Sequence, residues 1–297
     1  MHITISGNLG SGKSTVCNCL RRLFGFKIYS TGDIHRSIAR DMNITTLQLN
    51  QFMQEDFQYD QKIDNEVKRL SDCHSQEDII FDSRIAWHFV KKSCKVFLLV
   101  NPDLAAERIF AAKRGSEEKY SSIEDARIHL KARAQSERER FKLIYGLDYI
   151  SPQNYDLIID STGIPADIIA KAIYFEARNY YTEEFYEQKI LLSPKNLYPT
   201  RQEEDWANEH FVDAHIDVIR HQNYFFIWDG HLWAMTGVRN NAKYVSVNIV
   251  AENSDDTIEL GMTVEKYLRN VNISIVHDYE RICGFKFVSY PKFLSGG

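Results

Sequence analysis

The string Gly7-Asn8-Leu9-Gly10-Ser11-Gly12-Lys13-Ser14-Thr15 constrains this chain more than any other feature. It fits the pattern G-x-x-x-x-G-K-[S/T] in full. An apolar run, Ile3–Ser6, precedes it, and a helix-like stretch, Ser14–Phe24, follows. The glycines let the backbone curl into a cradle whose N–H groups face phosphate oxygens. Lys13 adds a point charge at the β and γ phosphates, and Ser14 offers a hydroxyl to Mg²⁺. The positive end of the following helix faces the same anion. Gly7, Gly10, Ser11, Gly12, Lys13, Ser14 and Thr15 are therefore the expected nucleotide-binding residues, with ATP and Mg²⁺ as the expected ligands.

A loop of this kind needs a parallel sheet around it, and the chain supplies one. Further aliphatic runs occur at Phe26–Ser30, Asp78–Asp82, Lys95–Val100 and Tyr155–Asp160. Helix-like stretches alternate with them at Asp33–Asp41, Thr46–Leu70, Pro102–Lys113 and Ile123–Ile144, and Ile164–Tyr181 closes the series. Alternating strands and helices imply parallel pairing with right-handed crossovers. The expected fold class is α/β: a P-loop NTPase-type parallel sheet with helices on both faces over residues 1–180, plus a smaller α+β C-terminal domain over residues 189–297.

Composition excludes several classes. With 44% apolar and 26% charged residues the chain is neither disordered nor unusually polar. No apolar run approaches the roughly 20 residues of a membrane helix, and His2–Ser6 enters a strand pattern at once, so neither a membrane span nor a secretory leader is expected. The five cysteines form no CxxC spacing and read as thiols of a cytoplasmic protein. Residues 1–179 sum to +1 and residues 180–297 to −6. The acidic C-terminal part disfavours broad nucleic-acid binding there. Oligomeric state is not legible.

Other residues complete a phosphoryl-transfer site. Ile79-Ile80-Phe81-Asp82 is an apolar strand ending in a carboxylate that can hold Mg²⁺ through water. In Ser30-Thr31-Gly32-Asp33-Ile34-His35-Arg36, Thr31 or Asp33 can cap a helix, and Arg36 in its first turn suits an anion better than the helix dipole. Arg84 follows Asp82 by two residues. Residues 108–142 carry ten basic side chains, among them Arg108, Lys113, Arg114, Arg127, Arg133, Arg138 and Arg140, interleaved with six acidic ones. Such a stretch can close over two phosphorylated substrates; i,i+4 pairing on a solvated helix accounts for part of it.

The loop Gly7–Thr15, the Ser30–Arg36 element, the stretches Met42–Glu55 and Tyr59–Leu70, and the Asp82-Ser83-Arg84 turn together resemble the cytidylate kinase-like nucleoside monophosphate kinases, especially their compact archaeal-type branch. Arg133–Asp148, ending in Tyr145-Gly146-Leu147-Asp148, and the strand Tyr155–Asp160 belong to the same resemblance. It implies phosphoryl transfer from ATP to a nucleoside monophosphate, most often CMP or dCMP. It also implies that Arg36 and Arg84 hold the acceptor phosphate, that Asp33 lines the acceptor pocket, and that Arg133 and Arg140 neutralise charge during transfer. Lys13, Arg84, Arg133 and Arg140 are thus the expected catalytic residues. Two positions depart from the family pattern. Ser83 stands where the turn has glycine, and His35 where an apolar or aromatic residue is usual.

Residues 189–250 resemble, more faintly, the ParB and sulfiredoxin-like nucleotide-binding fold. The matching pieces are Leu191–Pro194, Leu197–Thr200, Tyr224–His231 and Val245–Val250. A strand there runs into the turn Asp229-Gly230-His231 and opens a helix. His231 either binds an anion or fills the turn. Leu232-Trp233 replaces the basic or polar continuation of that turn. Tyr224, Phe225, Phe226, Trp228 and Trp233 read as core more than as a base-stacking platform. His210 and His215, five apart, do not suit metal ligation. Strand-like runs are expected at Tyr224–Trp228, Tyr244–Val250 and Phe285–Tyr290. Three functions remain open: a monophosphate kinase with an appended module, an ATP-dependent kinase of a non-nucleotide metabolite or a modified base in nucleic acid whose acceptor that module selects, and a nucleotide sensor without turnover.

Overall fold

A computed structural model of the chain describes residues 1–44, 49, 52, 58–111, 120–202, 204, 215–258 and 261–294, with the side chains of Asp33, His35, Arg36, Ser37 and Tyr59 outside that description. Two compact units emerge. The first comprises Met1–Leu99, Leu130–Ser161 and Pro165–Gln188; the second comprises Val100–His129, Thr162–Ile164 and Lys189–Gly297.

The first unit is built on parallel strands β1 (His2–Gly7), β2 (Lys27–Ser30), β3 (Ile79–Asp82), β4 (Cys94–Leu99) and β5 (Leu157–Asp160). They lie side by side in the order β5-β4-β1-β3-β2. Every residue of β1 is buried, as a strand covered on both faces requires. Between the strands run α1 (Lys13–Phe24), α2 (Thr31–Asp41), α3 (Gln58–Cys73) and the four-residue α4 (Ala86–Phe89). Later come α5 (Pro102–Ala111), which belongs to the second unit, then α6 (Ile123–Tyr145) and α7 (Ala166–Thr182). Phe24 of α1 stacks on Tyr174 of α7 at 3.8 Å between centroids. Val67 and Leu70 of α3 pack with Ala86 of α4 onto Ile79 and Phe81 of β3. The parallel sheet with its flanking helices is the α/β class expected from the alternation. The sequence pattern misses α4, which is too short to show a helical period. Most of the expected helical stretch from Thr46 to Phe57 lies outside the described residues.

Within the second unit β6 (Lys189–Leu192) pairs antiparallel with β10 (Val245–Ser246). A four-stranded sheet holds β7 (Leu197–Tyr198), β8 (Asp217–His221), β9 (Tyr224–Asp229) and β11 (Asn248–Ala251) in the order β11-β8-β9-β7. Gln222 and Asn223, both with positive φ, close the β8–β9 hairpin with the twist a two-residue loop favours. Then follow α8 (His231–Arg239), the short strands β12 (Thr257–Ile258) and β13 (Met262–Thr263), α9 (Val264–Arg269) and α10 (Ile273–Cys283). Tyr198, Ile219, Phe226, Val264, Leu268, Val276, Tyr279 and Phe287 form one apolar cluster. The Tyr224 hydroxyl donates to Asp103 Oδ2 at 2.8 Å, and Ser289 Oγ lies 3.2 Å from Asn101 Oδ1, which ties residues 100–103 into this unit.

Two strand expectations change here. Tyr244–Val250 is broken into β10 and β11, which pair with different partners, β6 and β8. Phe285–Tyr290 is not a strand. Its donors go to one buried carboxylate instead of a ladder: Phe287 N–H and Tyr290 O–H donate to Glu280 Oε1 at 2.8 and 2.7 Å, and Lys286 Nζ reaches Oε2 at 2.8 Å.

Candidate active site

The phosphate-loop geometry follows from the glycines. Gly7 ends β1 at φ 152° beside Leu98 of β4, and a Cβ there would lie 2.5 Å from the Leu98 carbonyl oxygen. Asn8 N–H donates to that same carbonyl at 2.9 Å, and Ser11 N–H donates to Asn8 O at 3.2 Å. Gly10 and Gly12 take φ of 79° and 80°, which turns the chain into α1. The Ser11 hydroxyl is buried with no hydrogen-bond partner among the described residues, and α1 begins with no acidic residue in its first turn. An orphaned hydroxyl, a helix N-terminus and a lysine converge on one loop, and this donor set fits a polyphosphate. Burial and the neighbouring Arg84 guanidinium pull the Lys13 ammonium down to about 7. A phosphate bound against it restores the charged form.

Asp82 ends β3 beside Ile5 of β1 and Ser30 of β2. Ser14 Oγ donates to Asp82 Oδ2 at 3.4 Å. A hydroxyl and a carboxylate at this spacing can share a hydrated Mg²⁺ with phosphate oxygens. Among the described residues there is no cluster of three or more histidine, cysteine, aspartate or glutamate side chains able to hold a metal alone, so such an ion would depend on the nucleotide. Ser83 is accommodated without a positive φ and donates its N–H to Ile5 O at 3.2 Å. The departure from glycine therefore strains nothing in the turn.

Arg84 reaches back to the loop: its Nη1 donates to Gly7 O at 2.5 Å and its Nε to Glu137 Oε2 at 3.0 Å. The other Glu137 oxygen accepts from Arg133 Nε at 3.1 Å. Lys13, Asp82, Arg84, Arg133 and Glu137 are thus one electrostatic group. Burial raises the Glu137 carboxyl, and Arg84 and Arg133 more than offset this, holding it below the ordinary glutamate range. Sequence reasoning missed Glu137. Its only local signal is the i,i+4 spacing from Arg133, which solvated helices share.

Arg140 lies elsewhere on α6, ion-paired with Asp60 of α3. Arg138 grips Asp148 with two nitrogens, bracing the Tyr145–Asp148 turn. Arg127 of the second unit pairs with Asp103 at 2.5 Å. The Asp33 and Arg36 side chains lie outside the described set, as do Lys113, Arg114 and His210.

One residue beside this cluster carries a pH dependence. Tyr145 O–H donates to Asp64 Oδ2 at 2.7 Å. Burial, partly offset by that hydroxyl and reinforced by the Asp60 charge, pushes the Asp64 carboxyl up to about 6. Between about pH 4 and that value the folded chain holds a proton that the unfolded chain has released. Stability from this site is thus greatest below about pH 4 and falls as pH rises through the window. Asp64→Asn, which keeps an acceptor for Tyr145, should remove this fall and raise stability at pH 7 by about 1–2 kcal/mol. Urea midpoints from pH 4 to 7 check it; parallel curves for both proteins would contradict the assignment.

In the second unit the strand–turn–helix around Asp229-Gly230-His231 forms as expected. Gly230 has φ 88°, and a Cβ there would meet His215 O at 2.4 Å. His231, however, is fully buried, and its Nε2 accepts from Thr200 N–H at 3.2 Å. It fills the turn. Accepting that bond fixes Nε2 as the unprotonated nitrogen, so it cannot serve as a cationic anion hook. Tyr224, Phe225 and Phe226 are core residues, while Trp233 is 37% exposed.

A glycine-rich loop joining a buried central strand to a helix, with lysine, serine and a strand-end aspartate at one end of a parallel sheet, defines a P-loop phosphotransferase. The cytidylate kinase-like family model matches residues 2–163, and the chain belongs to that family, a group of nucleoside monophosphate kinases. It is 32% identical over 167 residues to a cytidylate kinase of Methanothermobacter thermautotrophicus, a match spanning 56% of this chain and 99% of that one. It is 35% identical over 175 residues to a cytidylate kinase of Sulfolobus acidocaldarius, spanning 58% of this chain and 92% of that one. It is also 34% identical over 173 residues to an S-adenosylmethionine-dependent nucleotide dehydratase of Lacinutrix mariniflava. There the match covers 58% of this chain but only 34% of the relative's length. The family match ends at residue 163, before the second unit's C-terminal residues and the Asp229–His231 turn.

Proposed function

We propose that the chain transfers the γ-phosphoryl group of Mg²⁺-bound ATP to the phosphate of a nucleoside monophosphate, with CMP or dCMP as acceptor. The observation that carries this reading is the tether of Arg84 to the carbonyl of Gly7, the first residue of the phosphate loop. It sets a second cation beside Lys13, where donor and acceptor phosphates would meet. Cytidylate kinases similar over the same residues support the choice of base.

In this reading the loop amides and Lys13 would hold the β and γ phosphates, and Ser14 and Asp82 would hold Mg²⁺, whose charge would lower the electron density on the phosphoryl oxygens. Asp33, Arg36 and Arg84 bind the acceptor, and Arg133 and Arg140 neutralise the charge that spreads over the equatorial oxygens in the transition state. No general base is needed, because the attacking phosphate oxygen is already ionised. Five free thiols agree with a reducing, cytoplasmic setting.

The test is ADP release by the full chain with Mg·ATP and CMP, dCMP, UMP, AMP, GMP or TMP. Turnover fastest with CMP or dCMP is expected. ATP binding without turnover of any monophosphate would defeat the proposal and point to an acceptor of other chemistry.

A further inference from the structure

We infer that Asp60 is the positioning residue for Arg140: a carboxylate on α3 that pairs, across 80 residues of sequence, with the α6 guanidinium to which the proposed function assigns charge neutralisation. The inference rests on the role proposed above for Arg140.

Of three arginines on this part of α6, Arg140 is the most buried. Its side chain is 24% exposed, against 52% for Arg133 and 45% for Arg138, and the Asp60 side chain is 9% exposed. A solvated helix face would leave all three in water. The pair is also incomplete. Arg140 Nε and Asp60 Oδ2 are both buried without a hydrogen-bond partner among the described residues. A buried ion pair contributes little net stability even when every donor and acceptor is matched, and less when two are not. Stability alone therefore does not account for it.

Its surroundings suit the aiming of a long side chain. Asp64, one turn along α3 from Asp60, accepts from Tyr145, five residues along α6 from Arg140. This second tie sets the register of α6 on α3, so that Asp60 meets the same guanidinium each time. Asp64 takes the hydroxyl and leaves the guanidinium to Asp60. An arginine loses substantial rotamer freedom when it engages a phosphate, and a carboxylate that orders it beforehand removes that loss from the binding step.

The experiment compares wild type, Asp60→Asn, Arg140→Gln and the double variant, measuring kcat and the KM values of CMP and ATP together with thermal midpoints. Asp60→Asn should lower kcat/KM for CMP by about 10- to 100-fold and leave the ATP KM within about twofold. The double variant should be no slower than Arg140→Gln alone, because Asp60 acts only through that arginine. Asp60→Glu should recover part of the loss. Multiplying losses in the double variant, or a loss confined to the KM values with kcat unchanged, would overturn the inference. So would a lower thermal midpoint with unchanged kcat/KM, which would make the pair a structural tie only. If Asp60→Asn is insoluble, Asp60→Glu combined with Arg140→Lys completes the same cycle. A wild-type chain that turns over no monophosphate defeats the proposed function, and the inference falls with it. An active wild type matched by Asp60→Asn defeats the inference alone.

Discussion

Lys13→Ala should slow phosphoryl transfer by about 10²- to 10⁴-fold, or about 3–5 kcal/mol of transition-state stabilisation. The ammonium stands in a confined site beside Arg84, which together with burial lowers its own proton affinity. That is an unfavourable place for a cation until phosphate arrives. The same lysine therefore contributes little to the stability of the nucleotide-free fold and much to the reaction. The sign is testable in one set of samples. Single-turnover rates with Mg·ATP should collapse, while the thermal midpoint of the nucleotide-free variant should equal or exceed that of wild type. A rate within tenfold of wild type would remove Lys13 from the mechanism. A large drop in midpoint would make it a structural residue.

Glu280→Ala should destabilise the second unit by about 3 kcal/mol, a shift of roughly 6–12 °C in its melting temperature. Glu280 is 1% exposed on α10 and accepts from Phe287 N–H, Tyr290 O–H and Lys286, with His277 Nδ1 at 3.3 Å. Burial raises its carboxyl, and these donors more than reverse the effect, holding it below the ordinary glutamate range. Stability from this site is thus present above the usual glutamate pKa and lost as pH falls through the lower folded value. Truncation leaves the buried Phe287 N–H unpaired and opens a void beside Tyr279 and Phe287. Lys286 is 74% exposed and returns to water at little cost. Glu280→Gln, which keeps one accepting oxygen, should fall between. Amide exchange at residues 285–290 should quicken in both variants. A midpoint for Glu280→Ala within about 1 kcal/mol of wild type would show that the segment is held by its aromatic rings alone.

Some of the fold and site was legible because it is local. The phosphate loop depends on backbone freedom at Gly7 and Gly12 and on residues that follow one another. The parallel strands show as unbroken aliphatic runs because both faces are covered. The α/β class and the family resemblance follow from these. Phe285–Tyr290 reads as a strand because Phe285 and Phe287 alternate with the polar Lys286, and that spacing looks the same whether the Phe287 amide joins a ladder or donates to Glu280. The helix of residues 123–145 read as a charged face with some i,i+4 pairs. Nothing in its spacing separates Arg133, beside Glu137, from Arg140, which pairs with Asp60 from another helix. His231 had two readings, and only the Thr200 N–H against Nε2 chose between them.

By itself, then, the sequence determined a phosphate-binding strand–loop–helix at the start of a parallel sheet, because glycine conformation, helix polarity and hydrophobic period act over a few residues. The tertiary structure alone decided which charges meet: Arg84 with Glu137 across 53 residues, Arg140 with Asp60 across 80, and Glu280 with the segment after its own helix. An ionised side chain on a helix looks the same in sequence whether it faces water or a partner. Only the packing that removes the water sets its role.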